Sequence, residues 1–339
     1  MQFVLNNNIS LVLCESGKEF GKRIYNNLAP YCRGAHLNFK VVDSQEVWFK
    51  NKEVKTVIKE PIRGDDVYII QLLTEPESER SINDNFIALL TAIDAVHQAD
   101  AGRITVIIPQ YPYGRQERRK EREGITAKLA ARFMEEVGAY RVITIDIHSE
   151  AIGGFFDVAK LENLHASKPL MQELDLLYGT GDYVVVAPDT GGTDRARYYA
   201  KRKMRDFAII YKSRDYSKIS TIDVMKLIGE VKGRNVFVVD DMIDTGGTMI
   251  KACELLKENK AKKVVVACTF AFFNGEAEEL IRKAYEDGII DVIVGTDAVM
   301  HGPEFMERNK WYREVSVANL FAQVIYNINQ NKSISAILE

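Results

Sequence analysis

Cysteine is scarce and scattered. The four in 339 residues are Cys14, Cys32, Cys253 and Cys268, and none forms a C-x-x-C pair. That spacing excludes a disulfide framework and a cysteine-rich zinc site, and it reads as small buried hydrophobes in a reducing cytosol. Long apolar runs are missing too: none approaches the roughly 18 residues that a membrane span needs. The opening MQFVLNNNISLVLCES has no basic segment leading into a long apolar one, so no signal peptide is expected. A net charge of −3 offers no electrostatic grip on nucleic acid or on a membrane surface. No low-complexity linker divides the chain. With 46% hydrophobic and 27% charged residues, the expectation is a soluble cytoplasmic protein, and the length suggests two domains.

What the sequence has is alternation. Apolar, β-branched runs occur at Ile69–Leu73, Ile104–Ile108, Val142–Ile147, Val184–Ala187, Phe207–Ile210, Val236–Val239, Val264–Thr269 and Ile289–Val294. Helix-spaced stretches at 82–99, 125–137, 193–203, 247–258 and 275–285 lie among them. Continuous apolar strands alternating with helices predict an α/β fold with parallel sheets covered on both faces. Phe39–Val42 and Glu53–Lys59 alternate more, as hairpin strands do. The stretch GGFFDVAKLENLHASKPL interrupts the pattern and marks a boundary near 150–165.

One pentapeptide, DTGGT, occurs twice, at 189–193 and at 244–248. In VFVVDDMIDTGGTMIKACELL a strand delivers Asp240 and Asp241 at its carboxyl end, where open α/β sheets bind ligands. Gly246 and Gly247 let backbone approach an anion, and free N–H groups at the helix start point at it. Thr245 and Thr248 add two hydroxyl donors. Two acids would repel a phosphate, so they suit another part of the ligand, either a vicinal diol or Mg²⁺. A ribose phosphate has both ends. A capped helix after a strand is the plainer alternative. No Walker A lysine follows the glycines, which excludes a P-loop nucleotide site.

Other candidates sit at other strand ends. PYGRQ places Arg115 and Gln116 where a guanidinium suits a polyphosphate and an amide suits a base or sugar edge. The charge run Arg118–Glu123 reads as a solvated face. His148 ends the strand of VITIDIHSE, and Asp189 opens the first DTGGT without a second pair of acids before it. Such a His and Asp can share a divalent cation, although their spacing is no metal signature. YKSRDYSKISTID reads as a polar loop carrying Lys212, Arg214 and Lys218. A loop of that kind can close over a site and bring cations to developing charge.

VVDDMIDTGGT resembles the fingerprint of proteins that bind phosphoribosyl diphosphate (PRPP). With IRGDDVYIIQ, the NDN of SINDNFIALL, PYGRQ, ITAKLAARFMEEVGAYRVITIDIHSEAIGGFFD, VVAPDTGG, the K-x-R stretch and VSVANLFAQVI, nearly the whole chain resembles the ribose-phosphate diphosphokinase (PRPP synthetase) family. The resemblance implies transfer of diphosphate from Mg·ATP to the 1-hydroxyl of ribose 5-phosphate, giving PRPP and AMP. It implies that Asp244, Thr245, Gly246, Gly247 and Thr248 hold the 5-phosphate and that Asp240 and Asp241 hold ribose hydroxyls. By the same likeness His148 and Asp189 are Mg²⁺ ligands. Lys212 and Arg214 stabilise the transferring diphosphate, Arg214 also lying near the sugar phosphate. Arg115 and Gln116 contact ATP. The family's nucleotide loop usually reads F-x-D-G-E; here it is Phe49-Lys50-Asn51-Lys52-Glu53, with Asn51 and Lys52 in place of Asp-Gly. Glu117 stands where the family commonly has Asp, and YKSR replaces a run of three basic residues.

The implied fold is two phosphoribosyltransferase-like α/β domains, at 1–160 and 161–315, with the active site between them. A C-terminal helix at 316–339 is expected to pack back on the first domain. A homo-oligomer, often a hexamer in this family, is implied as well. Two other readings stand beside an active synthetase. One is a non-catalytic, synthetase-associated regulatory subunit; the other is a PRPP-consuming phosphoribosyltransferase, which leaves His148, PYGRQ and Lys212 without a task.

Overall fold

The computed structural model describes residues 8–179, 181–214 and 223–338. The chain divides into two compact units, one of Met1–His165 with Val317–Glu339 and the other of Ala166–Ser316.

The first unit is built on β1 (Ile9–Leu13), β2 (Phe39–Val41), β5 (Asp66–Ile70), β6 (Arg103–Ile107), β7 (Arg141–Ile145) and β8 (Lys160–Leu164), with the hairpin β3 (Ser44–Trp48) and β4 (Val54–Ile58) beside them. Its helices before the boundary are α1 (Lys18–Gly34), α2 (Ile82–Gln98) and α3 (Thr126–Glu136). The six-stranded sheet runs β2-β1-β5-β6-β7-β8, every pair parallel. All five residues of β1 and of β5 are buried, as a sheet covered on both faces requires. α2 starts where Ser81 and Asp84 cap each other, the Asp84 N–H donating to Ser81 Oγ and the Ser81 N–H to Asp84 Oδ2.

Two expectations change here and one holds. Phe39–Val42 is no hairpin strand: β2 pairs in parallel with β1 at the sheet's edge, and the exposure of an edge produced the alternation. Glu53–Lys59 does form a hairpin strand, with Ser44–Trp48 as its partner. β8 pairs with β7, so the first unit runs to His165 rather than to 160. Its sequence, KLENL, is too polar to announce a sheet strand.

The second unit holds α4 (Ser167–Tyr178), β9 (Tyr183–Ala187), α5 (Thr193–Lys203), β10 (Asp206–Arg214), β11 (Asp223–Ile228), β12 (Asn235–Ile243), α6 (Gly247–Glu258), β13 (Val264–Ala271), α7 (Ala277–Glu286), β14 (Val292–Thr296), α8 (Pro303–Arg308) and β15 (Tyr312–Val315). Its sheet runs β11-β10-β9-β12-β13-β14-β15. All neighbours are parallel except β10 and β11. The core is the apolar faces of β9, β12 and β13 against α6 and α7, with Val238, Cys253, Val266 and Ile281 all buried.

The last helices, α9 (Ala318–Asn329) and α10 (Ser335–Leu338), return to the first unit. α9 lies on α1, where Phe20 and Phe321 meet edge to face at 5.5 Å and Tyr31 and Tyr326 stack at 5.5 Å. Beneath them Asp66, fully buried, takes a bidentate bond from Arg103 at 2.8 and 2.6 Å. It also accepts from Tyr68 Oη at 2.8 Å and from Asn329 Nδ2 at 2.9 Å. One carboxylate thus ties β5, β6 and α9 together. Removing one member of a buried ion pair strands the other, which costs about 3–5 kcal/mol. Asp66→Ala is therefore expected to lose about that much in denaturant unfolding, with Asn329→Ala losing less because no charge is left unpaired.

Candidate active site

β9 and β12 are parallel neighbours, with Val184 opposite Val236 and Val186 opposite Val238. Both copies of DTGGT therefore emerge from adjacent strand ends at one edge of one sheet, each leading into a helix. The same five residues take two backbone forms. In the second copy Gly246 is left-handed at φ 76°, the conformation that glycine alone enters without cost, and α6 begins at Gly247. A Cβ on Gly247 would meet nothing within 4 Å, and Thr245 and Thr248 are exposed, so this turn is open to a ligand. In the first copy the equivalent glycine, Gly191, is not left-handed, and the N–H of the next one, Gly192, donates to Asp189 Oδ1 at 3.0 Å. That donor is committed to the loop's own carboxylate. The second copy is the better anion cradle.

The connection after β13 braces the cradle. Asn274 donates from its side chain to Asp244 Oδ1 at 2.8 Å and from its backbone N–H to Asp244 O at 2.9 Å. α7 lies close under the turn, with Ile281 Cδ1 3.4 Å from where a Cβ on Gly246 would be. Asn274 was invisible as a site residue in the sequence, since nothing in FFNGE marks it as a partner of a residue 30 positions earlier.

Before the cradle come the two acids. Asp241 is 8% exposed, and its N–H donates to Asp240 Oδ1 at 2.9 Å. Arg195, from α5, places Nη1 3.8 Å from Asp241 Oδ1. Burial, and then the neighbouring Asp241 carboxylate, push the Asp240 carboxyl far above the usual carboxylate range, against a smaller opposing pull from Arg195. On the other side, Asp189 Oδ2 lies 3.8 Å from Lys212 Nζ.

Lys212 is not in a loop. β10 outruns its parallel partner β9 and continues as one arm of an antiparallel pair with β11, where Lys212 faces Met225 across the ladder and Arg214 faces Asp223. The polar residues of YKSR gave the stretch its loop-like composition. Lys218 lies outside the described residues.

In the first unit, His148 follows β7 and is exposed. Two residues earlier Asp146 turns the chain with a φ of 43° and accepts from His165 Nδ1 at 3.1 Å. The PYGRQ turn passes close by, since a Cβ on Gly114 would lie 3.7 Å from His148 Cβ. Tyr113, itself at φ 55°, donates to Asn83 Oδ1 at 2.7 Å and fixes the turn, leaving Arg115 and Gln116 exposed at its end. Phe49 to Glu53 form the tip of the β3–β4 hairpin, all exposed. The hairpin is held beside its tip by Arg80, 4.5 Å over the Trp48 ring, and midway along by Thr56 against Thr91 of α2 at 3.1 Å.

Residues 9–138 match the N-terminal domain of ribose phosphate pyrophosphokinase, and residues 157–301 match the phosphoribosyl transferase domain. A ribose-phosphate pyrophosphokinase of Vibrio vulnificus is 42% identical over 291 residues, covering 85% of this chain and 88% of its own. One from Pasteurella multocida is 41% identical with the same coverage. The crystal structure of phosphoribosylpyrophosphate synthetase from Mycobacterium smegmatis superposes with a TM-score of 0.83 at 29% identity, over 96% of this chain and 99% of that one. This chain belongs to the ribose-phosphate pyrophosphokinase family.

Set against that family's F-x-D-G-E, the hairpin tip keeps the turn with other residues. Lys52 is left-handed at φ 69°, where the family's glycine would sit at ease, and its N–H closes the turn on Phe49 O at 2.9 Å. Asn51 Oδ1 accepts the Glu53 N–H at 3.2 Å, a bond an aspartate would make equally. The turn survives the loss of Asp-Gly.

A carboxyl whose folded value lies above its unfolded one opposes folding at every pH above the unfolded value, about 3.9 for aspartate. For Asp240 that penalty grows as pH rises toward and past neutrality and vanishes in acid. Asp240→Asn is accordingly expected to raise the melting temperature at pH 8 and to leave it nearly unchanged at pH 4. An equal shift at both pH values would show that ionisation is not the cause.

Proposed function

We propose that this chain transfers the β,γ-diphosphate of Mg²⁺-bound ATP to the 1-hydroxyl of ribose 5-phosphate. In that step the sugar's O1 bonds to the β-phosphorus, the bond from that phosphorus to the α-phosphate oxygen breaks, AMP leaves and the hydroxyl proton is released. The observation that carries the proposal is the edge formed by β9 and β12, with an open anion cradle, a buried acid pair and a lysine beside a half-exposed aspartate.

In this reading the backbone of Asp244–Thr248 and the hydroxyls of Thr245 and Thr248 hold the 5-phosphate at the start of α6. Asp240 and Asp241 accept hydrogen bonds from the ribose hydroxyls, a task for which their burial and mutual repulsion make donors welcome. Lys212, with Arg214, neutralises charge on the transferring group, where pre-placed cations lower the barrier most. On the nucleotide side, Phe49 offers a ring face to the adenine, with Asn51, Lys52 and Glu53 around it, and Arg115 and Gln116 extend toward the phosphates.

Among the described residues no group of three or more His, Cys, Asp or Glu side chains gathers into a metal cage. That suits Mg²⁺, which keeps several waters and is usually held by one or two protein ligands plus substrate phosphates. Asp189, a hard oxygen donor, is the ligand proposed in the second unit, and His148 is the candidate of the first. The ion would supply charge neutralisation on the diphosphate.

The four cysteines are free and buried, in keeping with action in a reducing cytoplasm. Among the described residues no helix is long and apolar enough to cross a membrane. We also propose that the chain acts as a homo-oligomer, as implied by its family. Leu129 and Phe133, 46% and 43% exposed at i and i+4 on α3, are apolar surface suited to a second copy.

A ³¹P NMR time course with ATP, Mg²⁺ and ribose 5-phosphate tests the reaction. AMP and PRPP are expected together, and neither without the sugar; no turnover would favour a regulatory subunit. Lys212→Ala is expected to lower kcat about 10²-fold. Asp244→Asn combined with Thr248→Ala should instead raise the apparent KM for ribose 5-phosphate, and an unchanged KM would remove the cradle from its role.

A further inference from the structure

Arg195 was not among the residues that the sequence singled out. It sits in TDRARYYAKR, where a helix rich in cations reads as a solvated face. Its near neighbour Arg197 fits that description: it is exposed and pairs with Asp194 at 3.7 Å. Arg195 does not. Its side chain is 23% exposed, and its guanidinium lies 3.8 Å from a carboxylate on a different element, Asp241 at the end of β12. The backbone explains the difference. α5 packs against β9 and β12, with Ala196, Tyr199 and Ala200 as its buried face. A residue in its first turn therefore overhangs the strand-end edge where the acids emerge.

The acids call for such a neighbour. Two carboxylates on consecutive residues, one 8% exposed, repel each other in a site that excludes most water. To accept hydrogen bonds from two sugar hydroxyls the pair must hold its orientation. At 3.8 Å the guanidinium nitrogen sets a positive charge beside the Asp241 carboxylate.

We propose that Arg195 is a positioning residue for ribose 5-phosphate: it sets a countercharge beside Asp241 and orients the acid pair for the sugar's hydroxyls, acting through Asp241 rather than by touching the substrate. The inference rests on the reading of that pair as the sugar-hydroxyl site. It also gives the first DTGGT a second task. The helix that this loop starts supplies the countercharge for the acids of the second copy.

The test is steady-state kinetics of the full-length enzyme with Mg²⁺, comparing Arg195→Gln, Arg195→Lys, Asp241→Asn and the double variant Arg195→Gln/Asp241→Asn. Arg195→Gln is expected to raise the KM for ribose 5-phosphate about tenfold while the KM for ATP stays within about twofold. Arg195→Lys, which keeps the charge, should recover most of the loss. The double variant should be no worse than Asp241→Asn alone, because the arginine acts through that carboxylate. Equal rises in both KM values, no recovery by lysine, or additive losses in the double variant would each overturn the proposal. Because Arg195→Lys retains the cation, it remains informative if Arg195→Gln fails to fold. If Asp241→Asn itself leaves the KM for ribose 5-phosphate unchanged, the sugar-hydroxyl reading falls and this proposal falls with it. If Asp241→Asn raises it and Arg195→Gln does not, only the role of Arg195 is lost.

Discussion

The parallel pairing of β9 with β12 is the constraint on which the site depends. Parallel strands must send their carboxyl ends to the same edge, and in this register the end of β9 comes beside the acids of β12, which runs on to Ile243. That puts Asp189 with Lys212 on one side of the edge, and the acid pair with its glycine turn on the other. The helices that follow the two strands inherit the arrangement, so the first turn of α5 comes to lie over the end of β12. No long-range device is needed to assemble these groups.

The edge is also an electrostatic compromise. Asp240 and Asp241 sit one turn before a cradle that favours anions, and Asp189 lies beside a lysine meant for phosphate oxygens. Without substrates the charges hold one another: Lys212 with Asp189, Arg195 with Asp241, and Asp244 with Asn274. A site that keeps two acids adjacent and mostly buried gives up some stability. That strain is characteristic of a surface shaped for ligands whose donors relieve it.

How much of this could be read in the sequence depended on the reach of each interaction. In the second unit β9, β12, β13 and β14 with α5, α6 and α7 announced themselves through local periodicity, whereas α4, β11, α8 and β15 did not, and the DTGGT chemistry lay within a dozen consecutive residues. Contacts between distant residues left no such mark. Asp66 begins β5 as a buried charge, so the apolar run was read from Ile69, and its partner Arg103 stands 37 residues away. Lys212 reads as a loop residue because its end of β10 runs past β9 and pairs there with β11, in a polar stretch of sequence. Arg195 and Asn274 owe their place to packing between elements, and nothing in their own neighbourhoods distinguishes them from surface residues. The two copies of DTGGT carry a similar lesson: identical residues adopt different backbones, with Gly246 left-handed and its counterpart Gly191 not.

The return of α9 to the first unit bears on how the chain comes to be folded. Phe321 is made long after Phe20, yet they belong to one core. On a ribosome the first unit emerges without α9, and Asp66 meets Asn329 only after the whole second unit has been made. The second unit is contiguous, from Ala166 to Ser316, and has every strand it needs before α9 exists. The part made first is thus closed last. Until α9 arrives, the face of α1 that it covers stays open.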